Sequence, residues 1–282
     1  MLRRDFDPEL SRTFLRNKRK VAATHLFPGP GDRTRAFVEL DRATPPKAGF
    51  DMPAPGGVGY GVFYRPDFKE DFLQGTALYW EIVFPAAAGG NVSGYLYLTA
   101  CNRAARGVEA LIAYKGQSGP AFYVYDWARP AQPEEMRWFG PLPSEQFAEY
   151  VHESTANGHP CATLPMTNMT YEAAPDQWVN QVWLLRRSTN SWESVYSFTY
   201  PAGREHQHHA WPGSWGPIVE GFQSRYEGTA VMGSLNALVR NGENSAWRPW
   251  VPISPDLSDI REDDLGFIRT ILDPNSSWIV NS

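Results

Sequence analysis

The chain has 282 residues, a formal net charge of −5, and 24 glycines beside 24 prolines. That length admits two small domains or one large all-β or barrel domain. The acidic balance disfavours nucleic acid as a partner, two cysteines are too few for a disulfide scaffold or a Cys-rich zinc site, and no apolar run approaches the ~20 residues of a membrane-spanning helix.

Residues 1–20 carry a basic cluster of Arg3, Arg4, Arg12, Arg16, Lys18, Arg19 and Lys20, interleaved with Leu10, Phe14 and Leu15. The spacing predicts a short amphipathic helix over 8–17 within an N-terminal arm, 1–30, docked by its apolar stripe. Such an arm would also serve as an oligomerisation element. The segment has no apolar core of a secretory leader, so the chain as written reads as intracellular, and as secreted if a leader has been removed. Residues 28–59 are punctuated by Pro and Gly and read as loop, with one possible strand at 35–40. The glycines of GGVGYG at 56–61 precede no βαβ unit and are not a dinucleotide fingerprint.

From residue 77 the pattern has a period of two. The runs 77–84, 94–101, 108–114, 121–127, 178–185, 192–200, 217–223 and 229–240 are rich in β-branched and aromatic residues and bounded by turn formers. Alternation of this kind means antiparallel sheets. Beyond the N-terminal arm, helix is expected at 145–152, with Ser144 as N-cap, and at 263–272. No linker separates two units, so residues 31–282 read as a single all-β domain, an antiparallel β-sandwich with long loops. Cys101 and Cys161 read as two small buried thiols, with one bond between them as the alternative.

The outward stripe is the feature that suggests a site. Tyr95 and Tyr97 share one face of a strand, and Tyr123, Tyr125 and Trp127 share a face of another. Rings displayed in this way suit stacking on a sugar, or form a second small core beneath loops. Carboxylates stand inside strand patterns at Glu81, Glu109, Asp126 and Glu220, where burial is costly unless they are paired or in a wet cleft. Glu109 and Glu220 are the preferred acid–base pair. His206, His208 and His209, followed by Trp211 and Trp215, form the densest polar cluster. His208 is the candidate imidazole base, with Trp211 and Trp215 as stacking surface, and a solvated loop is the plain alternative. An H-x-H pair of His206 and His208 with a distant carboxylate could instead bind a divalent ion, although no H-E-x-x-H, EF-hand or cofactor motif is present and neither a metal nor a cofactor is the expected reading.

The runs ALYWEIVF, GYLYLTAC, GVEALIAY, AFYVYDWA and GPIVEGFQ resemble the concanavalin A-like jelly roll of legume-type lectins, several glucanases and polysaccharide lyases. The resemblance implies that Glu109 is a nucleophile and Glu220 an acid/base. It extends over roughly residues 77–240 and does not include the Gly-Thr-Glu-Pro segment of some of those enzymes. The expected function is therefore a carbohydrate-binding or carbohydrate-processing β-sandwich. The alternatives are a cofactor-free cyclase or isomerase for a hydrophobic small molecule, and a structural or assembly jelly-roll protein.

Overall fold

A computed structural model describes residues 60–63, 65–66, 75–84, 94–101, 107–115, 118–130, 137–156, 159–201, 215–221, 232–241, 248–249, 253–254, 268–273 and 277–281. The expected N-terminal arm, the possible strand at 35–40 and the cluster of His206, His208, His209 and Trp211 lie outside the described residues.

The described chain is an all-β antiparallel sandwich. Its first sheet has the order β1 (Tyr60–Phe63), β12 (Trp215–Gly221), β4 (Gly94–Cys101), β5 (Gly107–Lys115), β6 (Ser118–Asp126) and β7 (Trp138–Phe139). The second runs β11 (Ser191–Pro201), β10 (Gln177–Arg186), β9 (His159–Ala174), β3 (Gly75–Phe84), β13 (Met232–Asn241), β17 (Ser277–Asn281) and β16 (Ile268–Asp273). Off that path β8 (His152–Ala156) pairs with β9, and β14 (Arg248–Pro249) with β13. A small pair joins β2 (Arg65–Pro66) to β15 (Ile253–Ser254).

The period-two runs become strands for the expected reason. Alternate residues Val108, Ala110 and Ile112 of β5 and Phe122 and Val124 of β6 are all fully buried, forming the inner face of the six-stranded sheet. The facing sheet contributes Leu164, Met166, Val182 and Leu184, also fully buried. Polar groups cross the gap too: the Asn180 amide donates to the Gly107 carbonyl at 3.1 Å, and that of Asn168 to the Val108 carbonyl at 3.5 Å. The nine-stranded sheet is buried on its far side as well, where Met169, Tyr171, Val179, Trp183, Leu185 and Trp192 form a second apolar cluster.

The helices differ from expectation. The single helix among the described residues, α1, spans Ser144–Tyr150 and buries Phe147 and Tyr150. Ser144 is not its N-cap. Pro143 holds that position, extended at ψ 137°, and no side chain caps the helix. The helix expected over 263–272 is corrected as well, because residues 268–273 form β16 and pair with β17. Ile268, Thr270 and Ile271 are β-branched and favour a pleated surface over a helix once a partner strand is available. No helix among the described residues is long and apolar enough to cross a membrane.

The longest strand, β9, escapes the period-two reading. It contains Pro160 and Pro165, which cannot donate to a ladder. Both are accommodated by the register. On one side of β9 the partner β8 covers 159–163 and β10 takes over from Met166, so Pro165 sits where neither ladder needs its nitrogen. On the other side β3 pairs only from Ala162 onward, so Pro160 has a single neighbour, Thr155.

Candidate functional site

Strand register assembles the outer face of the six-stranded sheet into rows, since directly paired residues share a face. One row reads Trp215 on β12, Thr99 on β4, Glu109 on β5, Tyr125 on β6 and Trp138 on β7. The next reads Phe63, Ile218, Tyr97, Leu111 and Tyr123. A third holds Gly61, Glu220, Tyr95, Ala113 and Ala121. Glu109, Tyr123, Tyr125, Tyr95, Tyr97 and Glu220, singled out in four separate runs, and Trp215, singled out beside the His cluster, thus occupy register positions on one face of one sheet.

The best-defined chemistry lies in the first row. The Trp127 indole N–H donates to Glu109 Oε1 at 2.9 Å. Trp127 stands just past the end of β6, in a turn, and its backbone N–H donates to the Gly107 carbonyl at 3.0 Å. Its ring meets Tyr125 edge-on at 4.9 Å between centroids, and Tyr125 meets Trp138 in the same manner at 4.9 Å. The Arg137 guanidinium lies 5.2 Å from the Trp127 ring and 5.9 Å from that of Tyr125. Its Nε donates to the Arg129 carbonyl at 3.0 Å. Glu109 is 9% exposed and Tyr125 7% exposed, so the carboxylate is set in an aromatic wall at the edge of solvent. Tyr123 is half-buried, and that burial raises its phenol above the usual value.

Behind this row, on the inner face, Asp126 is fully buried. Its Oδ1 accepts from the Asn180 amide and from the Ala128 backbone N–H, each at 2.8 Å, and its Oδ2 accepts from the Tyr196 hydroxyl at 2.5 Å. Burial raises the Asp126 carboxyl above its ordinary value, while the three donors and the Arg129 charge pull it back down. The Tyr196 hydroxyl is raised by burial first and by the Asp126 charge second. Arg129 donates from Nε to Tyr196 Oη at 3.3 Å and lies 3.5 Å from the Phe198 ring centroid. Asn180 in turn accepts from Tyr200 Oη at 3.3 Å.

The register places the two expected acid–base residues, Glu109 and Glu220, on different strands. Glu109 is opposite Thr99 and Glu220 opposite Tyr95, on strands that flank β4. Four residues along a strand and two strands across put their Cα atoms roughly 16 Å apart. The Tyr stripe also differs from a sugar platform. Tyr125 packs in T-shaped contacts with Trp127 and Trp138, and the Trp127 indole N–H donates to Glu109, so this part of the stripe is packed wall. His208 and Trp211 lie outside the described residues. Among the described residues no group of His, Cys, Asp and Glu is placed to hold a metal ion.

Sequence reasoning missed Trp138, Arg137, Asn180 and Tyr196. Only Asn180 leaves a signal, as a polar residue at an inward position of the alternating run WVNQVW.

No family model matches the chain and no curated protein matches it. Three solved structures resemble the fold. Scytalido-glutamic peptidase with a transition state analog inhibitor matches at TM-score 0.40 and 6% identity, over 79% of this chain and 97% of that one. The same peptidase with a peptide-based transition state analog matches at TM-score 0.36 and 7% identity, with the same coverage. SCP-B, a member of the Eqolisin family of peptidases in complex with the tripeptide Ala-Ile-His, matches at TM-score 0.36 and 7% identity, over 79% and 96% of the two chains. These neighbours are peptidases, and none of the three is a lectin, glycoside hydrolase or cyclase. The expectation of carbohydrate binding or processing is overturned here, together with its cyclase alternative.

Proposed function

We propose that the outer face of the six-stranded sheet binds an extended peptide and that Glu109 is the acid–base group of a peptide hydrolase. The observation that carries the reading is the Glu109–Trp127 hydrogen bond within a wall of Tyr125 and Trp138. The indole N–H holds one carboxylate oxygen and so fixes the plane of the carboxyl group. The edge-packed rings limit water around it, and the Arg137 cation stands beside the same wall. An amphipathic chain suits this surface: its backbone N–H groups meet an acceptor, and its side chains meet aromatic edges. In the proposed reaction Glu109 takes a proton from water as the oxygen attacks the peptide carbonyl. It returns that proton to the leaving amine as the C–N bond breaks, so its own charge is restored.

The test is cleavage of a peptide library by the full chain across about pH 2 to 8. Glu109→Gln, which keeps shape and removes the titrating group, is expected to lower the rate by roughly 10²–10⁴-fold with an unchanged thermal melt. Equal cleavage by the variant and the parent, or no cleavage by the parent at any pH, overturns the proposal.

A further inference from the structure

Two groups must stay in register for the Glu109–Trp127 bond to exist: the start of β5, which carries Glu109, and the end of β6, which leads into Trp127. A single set of bonds from the opposite sheet ties both. The Asn180 amide on β10 donates to the Gly107 carbonyl at 3.1 Å and to Asp126 Oδ1 at 2.8 Å. Gly107 is two residues before Glu109, and Asp126 immediately precedes Trp127. The Gly107 carbonyl also accepts from the Trp127 backbone N–H at 3.0 Å. Asp126 closes the turn itself. Its Oδ1 accepts from the Ala128 N–H at 2.8 Å, and its backbone carbonyl accepts from the Arg129 N–H at 3.2 Å. Tyr196 on β11 donates to Oδ2, which fills the remaining side of the carboxyl group.

We infer that the Asp126–Asn180 pair is a positioning device that holds Trp127 against Glu109 and thereby sets the acidity of Glu109 from the other side of the sheet. Asp126 is fully buried and Glu109 faces the outer side, so Asp126 acts only through the turn and touches no substrate. The described charged and titratable groups around the device are Arg129 and Tyr196 at Asp126, and Arg137, Tyr125 and Tyr123 on the Glu109 side. The physical link is direct. A donor aimed at the ionised carboxylate favours that form, so a turn that lets the indole drift raises the pKa of Glu109. The inference rests on the proposed role of Glu109 for its importance, but its test does not require catalysis.

The test follows the Trp127 indole N–H in ¹H–¹⁵N spectra of the full chain as pH is varied. Trp127→Phe assigns the peak, and Glu109→Gln is expected to abolish its titration. In Asp126→Asn and in Asn180→Ala the midpoint is expected to move upward by about half a unit or more, a change well resolved against ordinary pKa scatter. Tyr196→Phe removes one donor and leaves the carboxyl and the amide in place. It is expected to move the midpoint the same way by less, and it keeps the test decisive if the stronger variants do not fold. Val195→Ala is the control, since Val195 is fully buried and makes no side-chain bond to Asp126. It should lower stability and leave the midpoint alone. An unmoved midpoint in folded variants, an equal shift in Val195→Ala, or a peak in the parent that does not titrate overturns the inference. A moved midpoint in a chain that cleaves no peptide leaves the positioning device standing and removes the peptidase reading. Cleavage with an unmoved midpoint does the reverse.

Discussion

His152 is a residue whose ionisation opposes the fold. It opens β8 directly after α1, and its Nε2 lies 3.2 Å from the Leu185 carbonyl. Burial lowers its pKa, the nearby Arg187 charge lowers it further, and the bond to Leu185 partly offsets both. The fold thus favours the neutral ring. Stability from this group is complete above the unfolded value of about 6.5 and is lost as the pH falls below it and through the lowered value of the folded state. Urea midpoints of the parent and of His152→Gln are therefore expected to diverge on acidification, the parent losing stability relative to the variant. Parallel curves down to about pH 5 would show that His152 is not the titrating group. The same desolvation logic made some residues of the candidate site legible and hid others. Glu109, Tyr125 and Asp126 stand out because a carboxylate or phenol within a strand must find a partner. Trp138 belongs to a two-residue strand with no periodicity to reveal it. The partner of Asp126 is contributed by Asn180 and Tyr196, 54 and 70 residues away in the chain, a distance over which pattern carries no information.

At the scale of elements, the strand that completes the aromatic wall depends on a backbone shape. Gly140 follows β7 with φ of 116°, and a Cβ built there would stand 2.9 Å from the Phe122 carbonyl oxygen. That oxygen accepts the Leu142 N–H at 2.9 Å, so it is not free to retreat. Gly140→Ala is expected to cost roughly 1–3 kcal/mol, from a disfavoured φ and a backbone clash together. Equilibrium unfolding measures this directly. A loss under a few tenths would mean that β7 shifts without penalty. Elements with clean alternation were legible to within a few residues: β4 matches its run, β3, β5, β10 and β11 each extend slightly beyond theirs, and β6 starts three residues earlier and ends one residue earlier than its run. The failures share one cause. β9, with its two prolines, is not among the period-two runs, and a lone sequence does not show which side of a strand lacks a neighbour. Residues 263–272 read as a helix because the partner of β16, β17, comes after it in the chain.

Across the whole molecule, two apolar layers lie on either side of the nine-stranded sheet. Trp183 and Trp192 are each 2% exposed in the outer of these, and the Trp183 indole N–H donates to Gln181 at 3.3 Å. Trp183→Ala is expected to cost about 3–5 kcal/mol, the usual range for emptying a buried aromatic site. A cost near that of a surface change would mean that the far face is not a core. The topology has a further consequence, one of time. The β9–β10–β11 meander is built from neighbours in the chain and can pair as soon as it is made. β3 cannot. It ends at Phe84, its first partner begins at His159, and its second begins at Met232. At about 5–20 residues synthesised per second, the finished ALYWEIVF strand waits for several seconds with both edges open. A nascent chain stalled between Phe84 and His159 carries an apolar, aromatic strand unpaired, and it is there that a chaperone, or another copy of the chain, has an opportunity to bind.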